Sequence, residues 1–317
     1  MRSRFKGIPR KRPKQPRNPL AQNPSPPARE SKGRFHEPFY DWSLSLVADG
    51  RRPDPSSAVS VSALLRAAYV EMQRVTGRKT NVRLWLNHCL RRPIEPDFEI
   101  LRWLNAPAES VYVDIGANRG ETVASVRMYL PSIRIVAFEP NAILADVINA
   151  GRSQDPRFTL HAVGLGEAPG TFDLYVPHYR GVAFDGLASF KYGEAAEWLS
   201  PQRIACFNPR SLEVRTVRCR IERLDSFALA PAFMKIDVQG LEAAVIAGGL
   251  ATIERHLPIV LMENNRPEHD AAALLALGYE PYAYVAGKLV ADTSYRQLNS
   301  IYVHPETRSL LRQEAYL

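Results

Sequence analysis

The chain is poor in the residues that build covalent or metal-stapled domains. It has three cysteines, Cys89, Cys206 and Cys219, in 317 residues. Their odd number and irregular spacing exclude a disulfide framework or a cysteine-based zinc site, and they fit thiols in a reducing cytoplasm. The seven histidines are scattered, with no H-x-x-x-H pair, so no histidine-based metal site is expected. No apolar run approaches the roughly 20 residues of a membrane-spanning helix. The basic N-terminus lacks the apolar stretch of a secretory signal. These absences point to a cytoplasmic protein without a membrane span.

Acids are nearly missing from residues 1–34, which hold 11 Lys or Arg against one acid, Glu30. The overall charge of +8 therefore belongs to this arm, and the remainder is slightly acidic. With seven prolines and one aromatic, Phe5, the arm cannot build a core, and disorder is expected. A solvated tail is the plain reading. An arm that binds nucleic acid or an anionic membrane is the functional one, because clustered cations displace counterions from phosphates.

What is present is concentrated in Val111-Tyr-Val-Asp-Ile-Gly-Ala-Asn-Arg-Gly120, followed by Arg134-Ile-Val-Ala-Phe-Glu139-Pro140. The pattern predicts a strand buried on both faces, a glycine-bearing turn, a helix and a second buried strand. Asp114 and Glu139 would both reach the carboxyl ends of the strands, where open α/β sheets collect ligands. Gly116 and Gly120 allow the sharp turn and a close ligand. The tight G-x-G start of a dinucleotide site is missing, and Asp114 would repel a pyrophosphate, so an NAD-dependent oxidoreductase is disfavoured. A cofactor with a positive, amino-acid-like end and a ribose suits the acids better. S-adenosylmethionine has those parts, with Asp114 toward the cation and Glu139 toward the ribose hydroxyls.

The ordered set Val113-Asp-Ile-Gly-Ala-Asn-Arg-Gly120, Ala137-Phe-Glu-Pro-Asn141, Leu224-Asp-Ser-Phe227, Met234-Lys-Ile-Asp-Val-Gln-Gly-Leu-Glu242 and Leu261-Met-Glu-Asn264 resembles the FkbM-type methyltransferases. The resemblance runs from about Pro96 to Pro305. It implies a class I methyltransferase (Rossmann-like) α/β fold: a mostly parallel sheet with an antiparallel C-terminal strand and helices on both faces. It also implies an S-adenosylmethionine-dependent enzyme that methylates a hydroxyl oxygen of a small molecule or glycan. Gln239 stands where the family pattern has Glu, which weakens or relocates any role of that acid.

The expected organisation is a basic arm over 1–34, a helical cap over 35–95 and a methyltransferase domain over 96–317. In the cap, Asp54-Pro-Ser-Ser57 offers a helix start, and Val61, Leu64, Leu65, Ala68 and Met72 recur at helical spacing. Gly77 marks a stop, and Asn81 can cap a second short helix. The cap is read as covering a sheet edge, or as a lid or dimer contact. An interruption of the βα rhythm at about 170–227 is read as an acceptor-site insert. It offers His178, Tyr179, Arg180 and Asp185 as contacts.

The expected cofactor residues are Asp114, Gly116, Asn118, Gly120, Glu139 and Val163, the last near the adenine. The expected catalytic residues are Asp237, as base or acceptor-orienting group, and Lys235, which holds it ionised or contacts the acceptor's oxygens. Glu242 suits a structural role at a helix start. A divalent cation between Asp237 and Glu263 is conceivable chemically, but Gln239 argues against it, and no metal is assigned. The rival readings are an RNA methyltransferase recruited by the basic arm and a non-catalytic cofactor-binding module. Oligomeric state is not legible.

Overall fold

Val111–Ile115 (β1) is a run of five residues, all buried, so it sits in the interior of a sheet rather than at its edge. In the computed structural model it pairs in parallel with Arg134–Phe138 (β2) on one side and Pro231–Ile236 (β8) on the other. The described residues are 61–76, 92–152 and 154–316. The expectations for the arm 1–34, the helix start at Asp54, the stop at Gly77 and the helix from Asn81 lie outside them.

The main sheet has eight strands in the order β11-β10-β12-β9-β8-β1-β2-β3. Here β3 is Phe158–His161, β9 Ile259–Glu263, β10 Glu280–Val285, β11 Lys288–Ala291 and β12 Asn299–Val303. The pairs from β3 to β9 are parallel, whereas β12 runs antiparallel to both β9 and β10. This is the class I methyltransferase sheet. The chain winds outward from β1 through β2 to β3 and returns to β8, so the topological switch lies between β1 and β8. The antiparallel C-terminal pairing joins 280–282 to 301–303, whereas 282–285 pair with β11 in an edge hairpin that the sequence pattern did not disclose.

Two apolar layers flank this sheet. One joins Val113, Ile115, Phe138, Met234, Ile236 and Val260, and the other joins Tyr112, Ile135, Phe233, Leu261 and Phe98. Alternate residues of each strand feed opposite layers, as the two-residue period dictates. The segment Pro96–Trp103 is a 3-10 helix that buries Phe98, Ile100 and Leu101 in the second layer.

After His161 the chain leaves the main sheet. β3 ends at His161, and Gly164–Leu165 (β4) joins a second sheet of order β4-β7-β5-β6. Its body is an antiparallel ladder of Gly170–Tyr179 (β5) with Leu212–Glu222 (β7), in register from Gly170↔Ile221 to Tyr179↔Leu212. The residues between them form Val182–Ala183 (β6), a short helix Tyr192–Glu197 and connecting loops.

Val61–Thr76 (α1) packs on this insert, not on an edge of the main sheet. Val70 shares a core with Tyr179, Val182, Phe184, Leu187 and Ile204. Arg66 donates to the Arg203 carbonyl at 3.3 Å and lies over the Trp198 ring. The buried side of α1 is Ala63, Arg66, Val70 and Gln73, whereas Leu64 of the expected apolar stripe is 53% exposed. The insert offers an aromatic ring and a backbone carbonyl that accommodate an arginine, so apolar spacing did not mark the buried face.

Candidate active site

The turn after β1 is held by main-chain bonds to β2. The amides of Gly116 and Ala117 both donate to the Phe138 carbonyl at 3.0 Å. Gly116 (φ +85°), Asn118 (φ +48°) and Gly120 (φ +72°) all adopt the left-handed region, which glycine occupies without steric cost. Gly120 is the residue that opens helix α2, Glu121–Tyr129. Glu139 ties the turn down, its carboxylate accepting from the Asn118 amide at 2.8 Å and the Asn141 amide at 2.9 Å. Burial pushes Glu139 up to about 7 against the pull of these two amides.

Asp114 is fully buried, and apart from the nearby Thr122 hydroxyl its carboxylate oxygens meet no hydrogen-bond partner. Burial raises it to about 6, with Lys235 opposing the shift. The Asn118 Oδ1 is a further buried atom without a partner. Buried polar atoms left unpaired are costly, and they gather where a ligand completes them. An ammonium beside Asp114 and ribose hydroxyls beside Glu139 meet these needs, so the residues present fit S-adenosylmethionine. Val163 lies in the main core cluster with Phe138. His161 is packed against Phe138 and Phe227, with ring centroids at 5.1 and 4.8 Å.

Across the switch point, register places Asp114 opposite Lys235. Lys235 and Asp237 share one side of the chain, and the Lys235 Nζ donates to Asp237 at 2.9 Å. Lys235 is fully buried. Burial alone would lower its pKa, but Asp237, Asp114 and Glu95 together raise it. The ammonium is thereby kept charged among acids.

From Asp237 a chain of alternating carboxylates and amides continues. The Gln239 Nε2 lies 3.2 Å from Asp237 Oδ1 and 3.5 Å from Glu263 Oε2. The Asn265 Nδ2 then joins Glu263 at 3.1 Å to Glu242 at 3.3 Å, and Glu242 accepts from the Gly240 amide at 3.1 Å. The carboxylates Asp237 and Glu263 thus flank the Gln239 amide. Among the described residues no group of three or more His, Cys, Asp or Glu is arranged to hold a metal ion. Glu263 is driven well above the carboxylate range by burial and by Asp237.

Three participants were not singled out from sequence: Glu95, Asn299 and Asn265. The Asn299 Nδ2 donates to both Glu95 and Asp97 at 2.8 Å, and Asn299 pairs with Glu263 across β12 and β9. Burial raises Glu95 to about 7, with Lys235 opposing and Asp237 adding to the shift. Nothing local marks these residues, because strand pairing and the entry into the 3-10 helix bring them here.

The insert reaches the same crevice. Asp185 forms an ion pair with Arg119 of the cofactor turn, and Gly186 faces the Asn118 amide group. Glu194 accepts from Ser189 and Lys191 at 2.7 Å. Burial opposes its ionisation, yet Lys191, Ser189 and, more remotely, Arg266 hold it below the usual carboxylate range. Of the four expected acceptor contacts, only Asp185 meets the cofactor turn. Tyr179 is buried, its hydroxyl accepting from the Asn208 amide at 2.9 Å, while Arg180 pairs with Glu71 of α1 and the His178 ring bonds the Val176 carbonyl at 3.0 Å.

The model of the FkbM methyltransferase domain matches residues 114–316. No curated protein matches the chain. Similar solved structures include a methyltransferase FkbM from Methylobacillus flagellatus KT, 15% identical, covering 76% of this chain and 59% of that one, with a TM-score of 0.41. The chain thus spans less than two thirds of that protein's length. Aeropyrum pernix fibrillarin with bound S-adenosyl-L-methionine is 13% identical over 65% of this chain and 73% of its own, with a TM-score of 0.33. A SAM-dependent O-methyltransferase from Thermotoga maritima is 11% identical over 74% and 69%, also with a TM-score of 0.33.

Proposed function

The chain belongs to the FkbM methyltransferase family, with S-adenosylmethionine as its cofactor, and from that premise we propose that it methylates a hydroxyl oxygen of a small molecule or glycan unit. The observation that carries this reading is the Lys235–Asp237 ion pair at the carboxyl end of β8, beside the buried Asp114 at the switch point.

When bound, S-adenosylmethionine supplies an electrophilic methyl carbon on a positively charged sulfur. Asp114 would hold its cationic end, and Glu139, fixed by two backbone amides, would receive the ribose hydroxyls. Asp237 would accept the proton that the acceptor hydroxyl gives up. Lys235, paired with Asp237 at 2.9 Å, orients its carboxylate toward the acceptor. General-base help of this kind contributes about 10²–10⁴-fold, and in-line positioning supplies the larger share. Asp185 and Glu194 bring the insert to the crevice and shape its acceptor side.

The test is calorimetric titration of the purified protein with S-adenosylhomocysteine, with NAD and Asp114→Ala as controls. Binding of S-adenosylhomocysteine that is lost in Asp114→Ala supports the reading, and binding of NAD alone overturns it. The basic arm lies outside the described residues. Recruitment of RNA is tested by deleting 1–34, which should abolish salt-sensitive RNA binding if such binding exists.

A further inference from the structure

The acceptor side of the crevice is short of positive charge. Asp237 acts on Glu263, Glu242, Glu95 and Asp114, and in each case its charge disfavours ionisation of the neighbour. Lys235 is the cation set against this group, and it is already committed to Asp237 at 2.9 Å. Arg266, at the rim, is engaged by Asp270 and by the Gly240 carbonyl at 3.0 Å.

Two further carboxylates, Glu263 and Glu242, lie beyond Gln239. Glu242 is fully buried, and its Oε2 has no hydrogen-bond partner. Between Asp237 and Glu263 stands only the neutral Gln239 amide. The two carboxylates lie within reach of one nitrogen, so an amine and a neighbouring hydroxyl on adjacent carbons can address both.

We propose that the acceptor is a hydroxyl compound bearing a protonated amine, as in an amino sugar, with the ammonium held by Glu263 beside Gln239 and the adjacent hydroxyl presented to Asp237. This rests on the reading of the site as an O-methyltransferase. It disfavours acceptors that carry phosphate near the reacting hydroxyl, because they would meet Asp237 and Glu263 at close range with Lys235 already paired. Glu263, held protonated in the absence of a cation, gives up that proton when the ammonium arrives.

The test uses the full chain saturated with S-adenosylhomocysteine. Glucosamine and kanamycin are each titrated against their N-acetylated forms, with glucosamine 6-phosphate as the anionic control, in two buffers of different ionisation enthalpy. The free amines should bind at least tenfold more tightly than the acetylated forms, with release of about one proton. The same compounds should take methyl from labelled S-adenosylmethionine, and Glu263→Gln should remove both the amine preference and the proton release. If S-adenosylhomocysteine binds but acetylated or phosphorylated forms bind as well as the amines, or no amine binds, this inference is overturned and the methyltransferase reading stands. Failure to bind S-adenosylhomocysteine overturns both.

Discussion

The carbonyl oxygen of Asp237 occupies the space into which a Cβ on Gly116 would project. The turn after β1 and the segment after β8 therefore touch through backbone, and only glycine permits it. Gly116→Ala adds this collision to the strain of φ +85°. It should cost about 3 kcal/mol or more. Gly120→Ala meets only the Ile148 side chain, at 3.4 Å, so φ strain dominates and about 1 kcal/mol is expected. Urea unfolding of the two variants should reveal this difference, and equal losses would refute the backbone-contact account.

Asp114 should bind the cofactor's cation in its ionised form. Because burial raises it to about 6, binding takes up an ionised group that the free protein loses as pH falls. S-adenosylhomocysteine affinity should be level above pH 7 and fall about tenfold per unit well below 6. Asp114→Asn should weaken binding at pH 7.5 by about 1.5–3 kcal/mol and flatten the pH response. Calorimetry from pH 5 to 8 reads both.

Stability of the free protein should run the other way. Glu139 and Glu95 are raised from 4.5 to about 7, so the folded state holds protons that the unfolded chain has released between those values. Stability contributed by these groups is therefore present below 4.5 and lost as pH rises toward 7 and beyond. Glu95→Gln should lessen this decline, measurable as unfolding midpoints at pH 5, 6 and 7.5. A wild-type-like slope in that variant would exclude Glu95 as a source.

Lys235 is the buried cation that compensates Asp237, Asp114 and Glu95. Lys235→Met should destabilise the fold by about 3–5 kcal/mol, because it leaves carboxylates buried and uncompensated. Adding Asp237→Asn should recover part of that loss. The double-mutant cycle, read by denaturant unfolding, would show no coupling if the pair were energetically idle.

Gln239→Glu places a third carboxylate between Asp237 and Glu263. The variant should lose about 1–3 kcal/mol without added metal and regain it in millimolar calcium or magnesium, whose oxygen preference matches three carboxylates. Thermal melts with and without the ion check this. A melt unchanged by either ion would mean that the side chain at 239 turns outward when charged.

The cofactor half of the site was legible because it is local. Val111 through Gly120 contains a fully buried strand, its turn glycines and Asp114, and Glu139 follows at the end of the next buried strand. The Lys235–Asp237 pair could also be read, since two residues of one strand two positions apart share a face. The acceptor half was not legible. Glu95 and Asn299 meet only because Asn299 in β12 is paired with Glu263 in β9, with Glu95 docked alongside. The β5 and β7 strands each showed alternation, but their pairing depends on closure of the long segment from Tyr179 to Leu212. The end of β3 at His161 follows from its edge position, where one side offers no partner strand and the chain is free to depart.

That departure after His161 divides the molecule's inheritance. The main sheet needs only β1, β2, β3, β8 and β9 to define the turn after β1, while the segment from Arg180 to Ser211 leaves and rejoins the far end of the β5–β7 ladder and touches back through Ser189–Tyr175 and Asp185–Arg119. A segment suspended in this way can be exchanged or lengthened while the ladder keeps its register. Chain exchanged there leaves the order and register of the main sheet unchanged.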